Sequence, residues 1–439
     1  MKKILIYFFI LFSGIFIYMY IEYIFYNPTI TKVEYNDYIN DKNEQKIIVK
    51  FKNSKISNIK CSIDNKKWIE SKNNRCIFYL KKGSHKINIK NYNKVSSKNI
   101  KIDINKVKSV KLNYEEYYLA IGESIKLEEK IEKIGNPKYE VIWESSDNAV
   151  ANVENGLVKG INNGESEIKV KVNDKEFKCR IIVTNLIIPR TLDMNKKIVP
   201  CNIYSNEDNE LLDKILDSRI KEKGEGTRAA LIETIRFLPL SLPYKIPYFF
   251  ENGRLNPYGN QHYVDGEGRY YNKGLYLSEN KKLSIKKSFA GPSIWGCPLT
   301  NYDTSYGWTY GGRYPNGLDC SGFVTWALYN SGIDIGDIGS GITDNVDDVS
   351  DLGEMHELTY EFANSDNYKV GDIIARDGHT ALIAGKDDEN IYIAESLLKG
   401  VVIETFSYKN RYSKLYKLYG YINKLDNFYK GDGIYSNMW

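Results

Sequence analysis

Histidine is scarce in this chain. There are four, His85, His262, His356 and His379, in 439 residues. The six cysteines include no Cys-x-x-Cys pair. Both shortages argue against a dedicated metal centre, and neither a metal nor another cofactor is expected. Net charge is also small, at +5, so nothing argues for a nucleic-acid partner. The N-terminus lacks small residues after its apolar run. Lys2 and Lys3 precede residues 4–21, rich in Ile, Phe, Leu and Tyr, and bulky Tyr18, Met19, Tyr20, Ile21, Tyr23 and Phe25 stand where a signal peptidase needs small side chains. The run is long enough to cross a hydrocarbon core of about 30 Å. Residues 1–27 are therefore expected to be an uncleaved signal anchor, a single transmembrane helix. The positive end stays inside, so residues 28–439 would lie outside the cell membrane, toward the wall.

What is present suggests several folded domains. Hydrophobic residues are 42% and charged residues 27% of the chain, enough for buried cores. At about 100–200 residues per domain, two to four domains are expected. Charge is uneven. Residues 28–110 carry 20 Lys and Arg against 7 Asp and Glu, or +13, which leaves −8 for the rest. Such a basic module could hold anionic wall polymers or lipid headgroups, or could simply be a solvated lysine-rich surface.

Residues 28–106 read as short strands. Lys46-Ile-Ile-Val-Lys-Phe-Lys52 and Lys86-Ile-Asn-Ile-Lys90 alternate apolar and polar positions, and Cys76-Ile-Phe-Tyr-Leu80 runs into a Lys-Lys-Gly turn. This predicts a basic Ig-like β-sandwich. Cys61 and Cys76 are the best candidate disulfide; if Cys320 is a working thiol, three cysteines remain without a pairing. Residues 107–186 continue the style with Ala120-Ile-Gly-Glu-Ser-Ile-Lys-Leu127, Trp143-Glu-Ser-Ser-Asp147, Asn155-Gly-Leu-Val-Lys-Gly160 and Asn163-Gly-Glu-Ser-Glu-Ile-Lys-Val170. The series resembles the bacterial immunoglobulin-like domains of invasin-type surface proteins. That likeness implies a second sandwich serving as a spacer or stalk.

After Pro189 the period changes to helical. Asn209-Glu-Leu-Leu-Asp-Lys-Ile-Leu-Asp-Ser-Arg-Ile220 predicts one helix. Residues 227–237 predict a second, capped by Thr227 and stopped by Pro239. Residues 187–439 are expected to form an α+β domain with the chemistry.

The strongest local signal is Tyr310-Gly-Gly-Arg-Tyr-Pro-Asn-Gly-Leu-Asp319-Cys320-Ser321-Gly322-Phe323-Val324. Asp319 can cap a helix whose first turn holds Cys320, where free N–H groups and the helix dipole favour a thiolate, the nucleophilic form. Further on, Gly378-His379-Thr-Ala-Leu-Ile-Ala-Gly385 reads as a strand beginning at His379, and Ile391-Tyr-Ile-Ala-Glu395 as its return. With a five-residue loop, 385 faces 391 or 384 faces 390. Either register puts Glu395 on the face of His379, with opposed side chains about 5 Å apart. A carboxylate there orients the imidazole and stabilises its protonated form.

These motifs, with Gly371-Asp-Ile-Ile374 between them, resemble the NlpC family of papain-like cell-wall cysteine peptidases over residues 227–425. The resemblance implies Cys320 as nucleophile and His379 as general base. Glu395 stands at the third polar position, where the family often has His, Asn or Gln. The likeness also implies that Asp319 and Ser321 help bind the stem peptide of peptidoglycan, and that a tyrosine supports the site. Trp308 stands at the corresponding position before Tyr310-Gly-Gly, and Tyr248 is the alternative. In the latter case residues 254–307 would be an insertion. A membrane-anchored peptidoglycan endopeptidase is the leading expectation. A non-catalytic adhesion or wall-organising protein, and an N-acyl amidase or acyltransferase, stay open.

Overall fold

The computed structural model describes residues 13–18, 20, 27–52, 59–91, 94–249, 256–257, 273–279, 283–284, 289–302, 309–333 and 353–439. Among them no helix is long and apolar enough to cross a membrane. The apolar N-terminal run lies mostly outside the described residues. The chain divides into two compact units. One comprises 1–113, 128–142 and 170–177; the other comprises 114–127, 143–169 and 178–439.

In the first unit, the alternating segments form two antiparallel sheets. Strands Thr29–Ile39, Gln45–Lys52 and Arg75–Leu80 make one, and Ile69–Glu70, Lys60–Ile63, Gly83–Asn91 and Lys94–Ile102 the other. Their inward side chains share one core: Ile47 and Val49 from the first sheet meet Ile87, Ile89 and Ile102 from the second. Cys61 and Cys76 are disulfide-bonded across that core, one from each sheet, as the sequence suggested.

The second unit takes up part of the immunoglobulin-like segment. Ala151–Glu154 and Leu157–Gly160 form a hairpin on Asn155-Gly156, both at positive φ (49° and 79°), the turn whose twist matches paired strands. Glu116–Ala120 lies parallel to residues 180–184.

In the rest of this unit, helix α1 (Asn206–Lys223) opens on a capping box between Ser205 and Asp208. Helix α2 (Arg228–Arg236) is capped by the Thr227 hydroxyl, which accepts from Ala230 N–H at 3.2 Å. Pro239 does not stop the chain's rotation as expected. The helix widens into a π turn, Phe237–Ser241, which carries the proline, and Lys196 Nζ satisfies the Pro239 carbonyl at 2.7 Å. Helix α3 spans Cys320–Asn330.

Six antiparallel strands follow: β1 (Glu354–Glu357), β2 (Ile373–Arg376), β3 (His379–Lys386), β4 (Asn390–Leu397), β5 (Gly400–Ser407) and β6 (Tyr421–Lys424). Their order in the sheet is β1-β6-β2-β3-β4-β5. Period-2 alternation gives the sheet two apolar faces. Leu382, Ala384 and Ala394 join Leu231, Ile235, Phe323 and Val324 of α2 and α3 in one cluster, while Ala381, Ile383, Ile393 and Ile422 belong to another. Phe323 and Leu231 are fully buried, each worth about 1.5–3 kcal/mol.

The region expected as an insertion is partly core. Leu275, Tyr276, Leu277 and Trp295 are buried in the main cluster. Cys297 bonds to Cys201, 96 positions away, a pairing that the sequence left open. A 96-residue loop stabilises by roughly 4–5 kcal/mol in the chain-entropy model.

Candidate active site

Two backbone contacts and one from a serine side chain set the entry to α3. Leu318 N–H donates to Pro247 O at 3.0 Å, Phe249 N–H donates to Leu318 O at 3.3 Å, and Ser396 Oγ donates to the same oxygen at 2.7 Å. Gly317 permits this approach, since a Cβ there would lie 1.8 Å from Pro247 O. Asp319 then caps the helix, its Oδ1 accepting from Gly322 N–H at 2.7 Å and from Ser321 Oγ at 3.2 Å. Cys320 is thereby held in the first turn, as its only described covalent state a free thiol, 5% exposed.

His379 heads β3, one turn after Arg376, with which it pairs across the β2–β3 hairpin. The β3–β4 register runs Leu382↔Ala394 and Ile383↔Ile393, which extends to place Glu395 opposite Ala381. Near the loop, however, Gly385 faces Tyr392 rather than Ile391. A one-residue irregularity between Ile383 and Gly385 absorbs the difference. The carboxylate therefore lands on the face that periodicity predicts. Glu395 Oε2 accepts from His379 Nε2 at 2.6 Å, leaving Nδ1 for the thiol. His379 is 6% exposed and Glu395 2%, so little water screens the pair. Burial alone would push the imidazole down. Hydrogen bonding and charge from Cys320 and Glu395 outweigh it and hold His379 up at about 9. At neutral pH the imidazolium is the favoured form.

Other predicted site residues divide. Tyr248 is brought to the nucleophile: burial raises its hydroxyl's pKa first, and the charges of Asp319 and Cys320 add to the rise. Asp319 and Ser321 are buried beside Cys320 and hydrogen-bonded to each other. Trp308 lies outside the described residues. Sequence reasoning missed Tyr419, whose hydroxyl donates to Glu395 Oε2 at 2.8 Å. It is one of 36 tyrosines, and no local pattern marks it.

A thiol at a helix start, an imidazole at a strand start and a carboxylate behind it form the arrangement of thiol hydrolases. Residues 304–418 match the model of the NlpC/P60 family, and residues 106–183 that of the bacterial Ig-like domain (group 2). The chain thus carries a bacterial Ig-like domain and an NlpC/P60 domain, the latter of a cell-wall peptidase and hydrolase family. No curated protein matches. Among solved structures, the S-layer protein rSbsC(31-844) is similar at 13% identity and TM-score 0.21, over 38% of this chain and 28% of that one. The N-terminal eight Ig domains of Down Syndrome Cell Adhesion Molecule isoform 1.30.30 are similar at 14% identity and TM-score 0.25, over 36% and 24%. Drosophila OTK extracellular domains 3-5 give 13% and 0.21, over 35% and 63%. This chain spans about a quarter of the length of the first two.

Proposed function

We propose that the protein is a peptidoglycan endopeptidase that cleaves amide bonds of the stem peptide by a Cys320–His379–Glu395 mechanism. The observation that carries this reading is His379, hydrogen-bonded to Glu395 on one side and coupled to the Cys320 thiol on the other. The thiolate attacks the scissile carbonyl carbon. The Cys320 backbone N–H, free at the helix start, helps to hold the oxyanion. His379 gives its proton to the leaving amine as the C–N bond breaks, and a thioester remains. Water then loses a proton to His379, attacks the thioester and releases the carboxylic acid and the thiol. Asp319, Ser321 and Tyr248 line the nucleophile and contact the peptide. By family likeness the bond follows γ-D-glutamyl. Digesting purified muropeptides with the protein and weighing the products tests this. New free amino and carboxyl termini within the stem peptide are expected; uncut peptides that nonetheless bind would favour the adhesion reading, and cleavage at the sugar–peptide link the amidase one.

We also propose that residues 1–27 anchor the chain, with residues 28–439 outside. The long apolar run with Lys2 and Lys3 at its head supports this. Protease added to protoplasts should leave only a short membrane-protected stub. Soluble protein in the medium, beginning near residue 20, would refute the anchor.

A further inference from the structure

Glu395 is buried behind His379. A glutamate side chain has more rotamers than Asn or His, and a buried carboxylate with one donor is poorly satisfied. A second donor is present. Tyr419, 5% exposed, gives its hydroxyl to Oε2, the oxygen that His379 Nε2 uses. We propose that Tyr419 is a positioning residue, which fixes the Glu395 carboxylate against His379 and so sets how firmly the imidazole keeps its proton. The proposal rests on the Cys320–His379–Glu395 reading and deepens it.

The tyrosine is itself held from several sides. Its N–H donates to Leu415 O at 3.0 Å, and the next N–H, of Gly420, donates to Ala375 O in β2 at 3.0 Å. Its ring meets Phe406 edge-on at 5.9 Å and lies tilted by 45° to the His379 ring at 6.2 Å. Burial and the neighbouring Glu395 charge raise the phenol's pKa, so it stays a donor throughout the working range. Its hydroxyl acts on Glu395, and its ring also lies against that of His379. Among the described residues, the groups that act on the His379 charge are Cys320 from α3 and Glu395 from β4, and Tyr419, ahead of β6, bonds to Glu395. Arg376, at the end of β2, acts on Tyr419 with the opposite sign to Glu395.

The sign of the effect follows. Removing one donor from an anion makes it bind protons more tightly, and the proton shared by Glu395 and His379 is then lost at higher pH. Tyr419→Phe keeps the ring and removes only the hydroxyl. In the full-length protein, kcat on muropeptides is expected to fall about tenfold, the usual scale for a hydrogen bond to a charged group, with KM little changed. The His379-dependent limb should move to higher pH, both in the activity profile and in the rate of Cys320 alkylation by iodoacetamide. In a Glu395→Ala background, Tyr419→Phe should add almost nothing, because the oxygen it acts through is gone. The alkylation profile needs no substrate, so it tests Tyr419 even if murein is not cleaved, and a protein inert on murein would count against the endopeptidase reading alone. An unmoved pH limb in Tyr419→Phe, or an equal loss with and without Glu395, would overturn the proposal and reduce Tyr419 to packing.

Discussion

Replacing Cys320 with Ser is expected to abolish muropeptide cleavage, by a factor on the order of 10⁴ or more, with the fold intact. The change is nearly isosteric at a residue held by the Asp319 cap, so the helix start should survive. The hydroxyl cannot form the anion that a thiol forms beside an imidazolium. His379→Ala should cost almost as much, since the same ring stabilises the thiolate and protonates the leaving amine. Glu395→Gln should be milder and Glu395→Ala worse, because an amide oxygen still accepts from Nε2 while losing the charge. These rates would be read by mass spectrometry of products against the unsubstituted protein, with melting curves as a check on folding. Wild-type activity in Cys320→Ser would end the catalytic assignment. The pH dependence has a fixed sign. His379 is held up at about 9, above the ordinary histidine value of about 6.5. Activity that needs the imidazolium should therefore fall as pH rises past about 9. The stability this pair contributes is complete below about 6.5 and disappears over the same rise.

Arg228→Ala should destabilise the second unit by about 3–5 kcal/mol, enough to unfold many domains. The guanidinium is fully buried and binds Asp372 at 2.8 Å, Asp426 at 2.9 Å, Asp432 at 3.0 Å and the Val370 carbonyl at 3.1 Å, under the Tyr429 ring. It joins the first turn of α2 to the start of β2 and to the segment after β6. Truncation leaves Asp372, itself fully buried, as a carboxylate without its cation. Burial already pushes that carboxyl's pKa up, and Arg228 is the main opposing influence. Asp426 and Asp432 are held below the ordinary carboxylate value, Asp426 against its own desolvation, by Lys369 and Arg228. Their contribution should be present at neutral pH and lost as pH falls through those lowered values. Urea unfolding followed by tryptophan fluorescence would measure the loss. A variant within about 1 kcal/mol of the parent would mean that water replaces the cation.

Much of the site was legible in local signals. Cap, thiol and helix are contiguous, so Asp319-Cys320-Ser321-Gly322 could be read as a helix start from residue types alone. His379 and Glu395 stand 16 residues apart across one hairpin, where the period of two confines both to the same face. The irregularity between Ile383 and Gly385 was not legible, but it shifts only the loop-side pairs. The strands around residues 46–52, 76–80 and 86–90 were readable for the same reason: their alternation is local and one face is buried.

What the chain order could not decide were contacts between segments far apart. Tyr419 reaches Glu395 across 24 positions, Ser396 reaches Leu318 across 78, and Arg228 gathers partners up to 204 residues away. Cys201 and Cys297 meet across 96. No periodicity links such residues, because each lies on its own element and only packing brings the elements together. Composition, caps and alternation determined which elements form and what chemistry Cys320, His379 and Glu395 could support. Tertiary structure alone decided that Tyr248 comes within reach of the Asp319 and Cys320 charges, and that a second donor holds the Glu395 carboxylate, since both depend on distances that sequence separation does not encode.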